Sequence, residues 1–325
     1  MKKAILAAVL LGAVGISQAQ IGCFWRPTSG VLWSTAANWN NHDVPDSLKP
    51  GATDTYKAYF LDNWDECILD YDGPTIDNLH LDQSKPLRIV SGGRLTVTDW
   101  AILSYSNPGA NMVIDGGTLN CMSHLFIGPW SHNYNDSFGA RLTQNGGTVN
   151  IYGVCGPGFD HGRGHYQLNG GTLNVFGNWE LANNGGAGSM DITQGVFIKS
   201  GDITAQIQTE TAAGRLTAYG GYGKIVFDYN VTHPGKTTVK AIAPAAGDLD
   251  DDQDVDLYDL RFLAREWLYP NCGNPANLDE WCKIDMRDFR VLSKNWLAGI
   301  RTRWHIASTV FPTDDWIVTP HYAED

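Results

Sequence analysis

The sequence predicts a mainly β chain: a right-handed parallel β-helix followed by a small α-helical module. Three observations carry that prediction. Gly-Gly pairs begin at residues 92, 116, 146 and 170, with a weaker Gln194-Gly195 after them. The steps are therefore 24, 30, 24 and 24 residues, one turn carrying a six-residue insertion. Between the pairs, apolar residues alternate with period two, as a strand buried on one face requires. Farther on, a loop-and-helix pattern repeats at an offset of 29 residues inside 247–298. A repeat of that kind marks two copies of one supersecondary unit.

The glycine pairs align as Gly92-Gly93-Arg94-Leu95-Thr96-Val97, Gly116 to Cys121, Gly146 to Ile151 and Gly170 to Val175. Leu95, Leu119, Val149 and Leu173 form one equivalent set, and Val97, Cys121, Ile151 and Val175 a second. Ala101, Leu125, Cys155 and Trp179 form a third, and Met112, Leu142, Tyr166 and Met190 precede the glycines. Short strands at fixed period, with no helical pattern between them, predict stacked coils about 4.8 Å apart with equivalent side chains in inward ladders. Alternation by itself also fits a β-sandwich. On the ladder reading Cys121 and Cys155 are buried thiols in different rows, whereas Cys23 and Cys67 either staple the start of the chain or stay apart.

The remaining boundaries follow from composition. Lys2 and Lys3, an apolar run from Ala4 to Ile16 and Ser17-Gln18-Ala19 make residues 1–19 a signal peptide, which predicts a secreted or cell-surface protein. Gly22-Cys23 has the order of a lipidation site, but Gln20 stands where an aliphatic residue is expected. Residues 20–91, punctuated by Trp25, Trp33, Trp39 and Trp64, read as an N-terminal β cap, 92–240 as repeats with a closing coil, and 241–246 as a linker. Residues 299–325 form a tail whose clusters Trp304-His305-Ile306 and Trp316-Ile317-Val318 suit a strand or two packing back on the protein. The formal charge is −12, and losing Lys2 and Lys3 makes it more acidic still. That argues against nucleic acid and anionic membrane as partners, and no stretch is long and apolar enough to span a membrane.

The helical module opens on Asp248-Leu-Asp-Asp-Asp-Gln-Asp-Val-Asp-Leu-Tyr-Asp259. Asp248, Asp250, Asp252, Asp256 and Asp259 fall at positions 1, 3, 5, 9 and 12 of a calcium loop, and Asp254 at position 7, where the backbone carbonyl is the ligand. Seven aspartates in twelve residues repel one another, and a hard divalent cation removes that penalty. Leu260, Leu263, Trp267 and Leu268 then recur at helical spacing. The second unit repeats the frame with Asn277, Asp279, Lys283, Asp285 and Asp288, and Trp267 is expected to pack on its counterpart Trp296.

Residues 247–297 resemble a type I dockerin, the duplicated calcium module that docks secreted enzymes onto cohesin partners. The resemblance implies calcium as cofactor and a cohesin-like protein or cell-surface component as partner. It places Leu257, Tyr258, Met286 and Arg287 at the partner-recognition positions 10 and 11. The chain departs from the pattern at Gln253, in place of the turn glycine, and at Trp281 and Cys282 in positions 5 and 6 of the second loop. Cys272 and Cys282 flank that weakened loop, and a disulfide between them would pin it. In the body, Trp33-Ser-Thr-Ala-Ala-Asn-Trp39 with Val44-Pro45 and Asp54, and later Leu216 to Gly221 with Lys236 to Val239, resemble the openings and closings of repetitive β-helical proteins exported by bacteria. The resemblance implies a pectin-lyase-like fold.

The one concentration of chemistry in the body joins the loop Trp130-Ser-His-Asn-Tyr-Asn-Asp136 with Asp160-His161-Gly-Arg163-Gly-His165. Asp136, Asp160, His161, Arg163 and His165 are the candidate catalytic residues, with Trp130 and Tyr134 able to stack on a sugar. Paired carboxylates, or calcium with a basic residue, are the means by which β-helices act on polysaccharides. Glycine-flanked Asp, His and Arg equally serve turn geometry and solubility. The sequence therefore reads as a secreted β-helical scaffold or glycan-associated protein attached through its calcium module; the alternative is a polysaccharide lyase or glycoside hydrolase carrying a dockerin.

Overall fold

A computed structural model describes residues 19–48, 54–62, 64–104, 109–128, 139–249, 254–270, 276–279, 281 and 283–298. Asp136 and its loop, Asp250, Asp252, Cys272, Cys282, the residues before Ala19 read as a signal peptide and the tail from 299 lie outside the described residues. The described chain divides into two compact units, one of residues 19–190 with Phe197–Gly201, the other of Asp191–Val196 with residues 202–298.

The first unit is a β-solenoid of about six turns. One parallel sheet runs in the order Gln20–Phe24, Thr55–Phe60, Asn78–Leu81, Trp100–Leu103, His124–Ile127 and Cys155–Pro157. The long strands Asn111–Cys121 and Ala140–Ile151 each bend at their glycine pair and so serve two further faces. Before the bend they stack in parallel with Leu87–Ile89 and Arg163–Leu168, and after it with Arg94–Val97 and Thr172–Val175. Parallel stacking starts at Gln20–Phe24, so residues 20–91 already contribute strands as well as a cap.

The ladders form in the register that the repeats dictate. Leu95, Leu119, Val149 and Leu173 are consecutive partners, as are Val97, Cys121, Ile151 and Val175. Ala101, Leu125, Cys155 and Trp179 make a third row. Every member of these rows is at most 2 % exposed, which is where the apolar half of each alternating strand gains its burial energy. Gly147 (φ 69°) shows why glycine marks the bend: a Cβ there would lie 2.0 Å from the carbonyl oxygen of Gly117 one turn below.

Trp25, Trp33 and Trp39 close the start of the solenoid around Phe60, their rings 4.9 to 5.9 Å apart and largely edge-on. Buried Asn38 accepts from the amides of Thr28 and Ser29 and donates to the carbonyl of Leu32, fixing the loop over the rings. Trp64, grouped with these by sequence, stands 41 % exposed. Cys23, Cys67, Cys121 and Cys155 are all buried and in no disulfide, so no Cys23–Cys67 staple forms, and Cys23 Sγ accepts from Asn41 Nδ2 at 3.3 Å. Burial pushes the Cys155 thiol up to about 12 and raises Cys121 and Cys67 as well.

The second unit contains helix α1 (Thr204–Ala212), strand Leu216–Ala218 and an antiparallel pair, Lys224–Tyr229 with Lys236–Ile242. Both segments read as a closing coil, Leu216 onward and Lys236 onward, are strands, the second paired in a hairpin. Asp228 accepts from the amide and hydroxyl of Thr232, and Asn230, in the left-handed region at φ 64°, accepts from Gly235 N–H, so the chain reverses between the strands. Helix α1 carries little apolar stripe, burying only Ile207 and Glu210, and is held by the Glu210–Arg215 ion pair. Two more helices, α2 (Leu257–Arg265) and α3 (Met286–Lys294), complete the unit.

Candidate functional site

The two loop–helix units are equivalent bond for bond. Asp256 caps α2 by accepting from Tyr258 N–H, and Asp259 returns the bond by accepting from Asp256 N–H at 2.7 Å. Asp285 and Asp288 repeat this capping box on α3, with Asp288 accepting from Asp285 N–H at 2.8 Å. The second carboxylate oxygen of Asp259 takes Leu249 N–H at 2.5 Å, and that of Asp288 takes Leu278 N–H at 2.6 Å. Each position-12 aspartate therefore ties the start of its loop to its end, and both are fully buried.

A backbone bridge joins the halves. Val255 donates to Ala298 at 2.9 Å and accepts from Leu297 at 2.8 Å; Ile284 donates to Tyr269 at 3.4 Å and accepts from Leu268 at 2.8 Å. Leu268 and Leu297 both adopt left-handed backbone, at φ 64° and 66°. Around this bridge Val255, Leu263, Ala276, Ile284 and Leu292 form the core. Gly247 enters here at φ 105° because a Cβ would come within 3.0 Å of Leu292 Cα.

Trp267 and Trp296 do not pack on one another as expected. They stand 37 % and 40 % exposed. Each helix stops before its tryptophan, at Arg265 or Lys294, and the left-handed leucine that follows turns the chain off the helical stripe. Trp267 instead lines an apolar groove of about 420 Å3 with Leu260, Leu263, Met286 and Phe289.

Carboxylate oxygens of Asp254, Asp256 and Asp259 lie within 4.8 Å of one another, and so do those of Asp279, Asp285 and Asp288. Oxygen donors at that mutual spacing fit a hard cation such as calcium. The Asp254 side chain is itself buried at 1 % exposure, so position 7 adds a carboxylate where sequence logic expected only a backbone oxygen. Asp248 and Asn277 sit half-buried at the loop starts. Lys283 is exposed at the equivalent of Asp254. Leu257, Tyr258 and Met286 are exposed, at 48 %, 59 % and 64 %. Arg287 is exposed too, its side chain 55 %, and lies along its own loop, with Nε 3.6 Å from Asp285 and 4.0 Å from Asp279, and its guanidinium 4.7 Å from the Trp281 ring centroid.

In the solenoid, the remaining candidates separate. Asp160 and His161 occupy a left-handed turn at φ 49° and 66°, where Asp160 accepts from Asn184 at 2.6 Å and lies 3.2 Å from the His161 ring. Arg163 is exposed at the start of its strand. His165 lies on the outer face, bonded to Ser189 at 2.9 Å and Gln167 at 3.2 Å. Its neighbours there make a polar groove of about 630 Å3, lined among others by Arg88, Arg141, Asn145, Gln167 and Asn169. Arg141 donates to Gln167, and Asn169 donates to Asn145, which donates to Asp115. Burial works against the Asp115 charge, but the Asn145 and Arg88 hydrogen bonds hold its carboxyl below the ordinary value. Outward residues at equivalent places in successive turns signal this groove in the sequence, because a solenoid stacks them into rows.

Exposed rings are available as well, but in an arrangement that limits what they can hold. Tyr152 and Phe176 stack 4.6 Å apart at 13°, so each covers one face of the other, and they stand 45 % and 38 % exposed. Sugar stacking needs an open face. No helix among the described residues is long and apolar enough to cross a membrane. No family model, curated protein or solved structure matches the chain.

Proposed function

We propose that this is an exported β-solenoid protein attached to a partner through a calcium-held, dockerin-like loop–helix pair. The observation that carries the reading is the convergence of Asp254, Asp256 and Asp259 in the first loop. Two unit charges 4 Å apart repel by roughly 4 kcal/mol near a protein surface, and a divalent cation turns that cost into attraction. Asp248 is in reach of the same role by position, and Asp250 and Asp252 complete the loop's oxygen set. Calcium would supply loop closure, not chemistry; the residues hold and orient α2, whose exposed Leu257 and Tyr258 then face the partner, a cohesin-like protein or another cell-surface component. Titrating the metal-free full chain with calcium should release heat with a tight first event and restore helical signal lost in chelator. A flat thermogram with unchanged helicity overturns it.

The polar groove along Arg88, Arg141 and Gln167 favours a second role for the solenoid, association with a polysaccharide. Amides and guanidiniums in rows at coil spacing match the repeating hydroxyls or carboxylates of an extended glycan. Retention of the chain on an acidic or neutral polysaccharide, weakened by Arg141→Ala, supports it. New reducing ends or unsaturated products would instead make the protein a lyase or glycoside hydrolase.

A further inference from the structure

The two acidic loops are matched in their capping bonds and unequal in charge. Residues 248–259 carry seven aspartates and no base; residues 277–288 carry four acids with Lys283 and Arg287, a net −2. Lys283 stands where the first loop has Asp254, and Arg287 where it has Tyr258. Trp281 replaces the position-5 oxygen donor, and its ring lies against the Arg287 guanidinium.

We propose that Arg287 is the resident counter-ion of the second loop, held in place by Trp281, so that the module takes calcium in one loop and offsets part of its own charge in the other. This rests on the calcium reading of the first loop. The geometry divides the work. Asp288 receives two backbone N–H groups, from Leu278 and Asp285, and lies at the N-terminus of α3, whose dipole favours a negative charge. Asp279 and Asp285 each accept one backbone N–H, from Trp281 and Arg287, and the guanidinium reaches both, at 4.0 and 3.6 Å. A planar cation suits this place better than an ammonium, because one face can lie on the indole while the edge meets carboxylates. Arg287, though its side chain stays 55 % exposed, is thereby engaged with its own loop, and the duplicated module presents two unlike faces.

Hydrogen exchange of the full chain separates the halves. Between calcium and chelator, the amides of Leu249, Asp256 and Tyr258 should exchange at least tenfold faster without the ion. Those of Leu278, Asp285 and Arg287 should change less than twofold. Arg287→Ala should speed this second set at least tenfold in chelator, and Arg287→Lys, which keeps the charge but loses the flat face, should fall between. If the second set responds to calcium as strongly as the first, or ignores Arg287→Ala, Arg287 is not the counter-ion. If calcium alters neither set, the reading of the first loop falls, while the Arg287→Ala comparison still decides the second.

Discussion

Leu297 donates its backbone N–H to the carbonyl of Val255 at 2.8 Å, tying the end of the second helix to the middle of the first acidic loop. The same bond recurs between Leu268 and Ile284. Each loop is therefore shaped by the other unit's helix, and neither half is complete alone. Leu297→Pro removes the donor and forbids the left-handed backbone that the site requires. Calcium affinity at the first loop, measured by titration, should weaken at least tenfold although Leu297 touches no carboxylate of that loop; unchanged affinity would mean that the halves act independently.

Asp259→Ala and Asp288→Ala remove equivalent clasps. Each leaves two backbone N–H groups without a carboxylate, a loss of about 2 to 4 kcal/mol. In chelator the two variants should lose helical stability equally, as read by circular dichroism in urea. In calcium they should diverge, with Asp259→Ala losing more. Equal losses in both conditions would contradict the asymmetry of the loops.

Much of this was legible beforehand, and the reasons differ by residue. Leu119, Val149 and Leu173 announce their ladder because stacked coils demand the same kind of side chain at the same step. Asp256, Asp259, Asp285 and Asp288 are legible as loop positions 9 and 12, but not as the capping boxes they form, which depend on where each helix starts. Exposure of Trp267 is not legible, since it depends on where α2 ends and on a left-handed Leu268 that no propensity favours. Nor is α1, whose single buried apolar residue makes no periodic stripe. Asp160 and His165 are close in sequence yet belong to different environments, a turn and a sheet face, and sequence proximity hides that difference.

Gln144 replaces an aliphatic residue in the row of Ile114 and Leu168, fully buried. It accepts from Tyr166 Oη at 2.7 Å and donates to the carbonyls of Gly147 and Thr172 at 3.2 and 3.1 Å. Tyr166→Phe removes one partner of this network and should cost about 1 to 3 kcal/mol in denaturant unfolding. Leu119→Ala, which opens a cavity in the neighbouring row, should cost about 2 to 5 kcal/mol. A Tyr166→Phe protein as stable as the parent would show that the phenol adds nothing beyond its ring.

The buried thiols predict alkaline sensitivity. Cys155 has its pKa raised in the folded state to about 12 from an ordinary 9.0, so the fold favours the protonated thiol. Its contribution is fully present below pH 9 and is lost as pH rises toward 12, where the unfolded chain releases the proton first. Stability should therefore fall over that window, and Cys155→Ala should reduce the slope. At pH 8 the folded protein should resist iodoacetamide at Cys23, Cys67, Cys121 and Cys155, and react at all four once unfolded.

The bend at Gly147, lodged over Gly117, also bears on how such a chain changes size. Inserting or deleting one whole repeat of 24 residues preserves every row, and extra residues are accommodated between rows, as the 30-residue step from Leu119 to Val149 shows. The molecule is in that sense a ruler graduated in steps of about 4.8 Å. Its reach could be reset by duplicating a single short stretch of coding sequence, without redesigning either end.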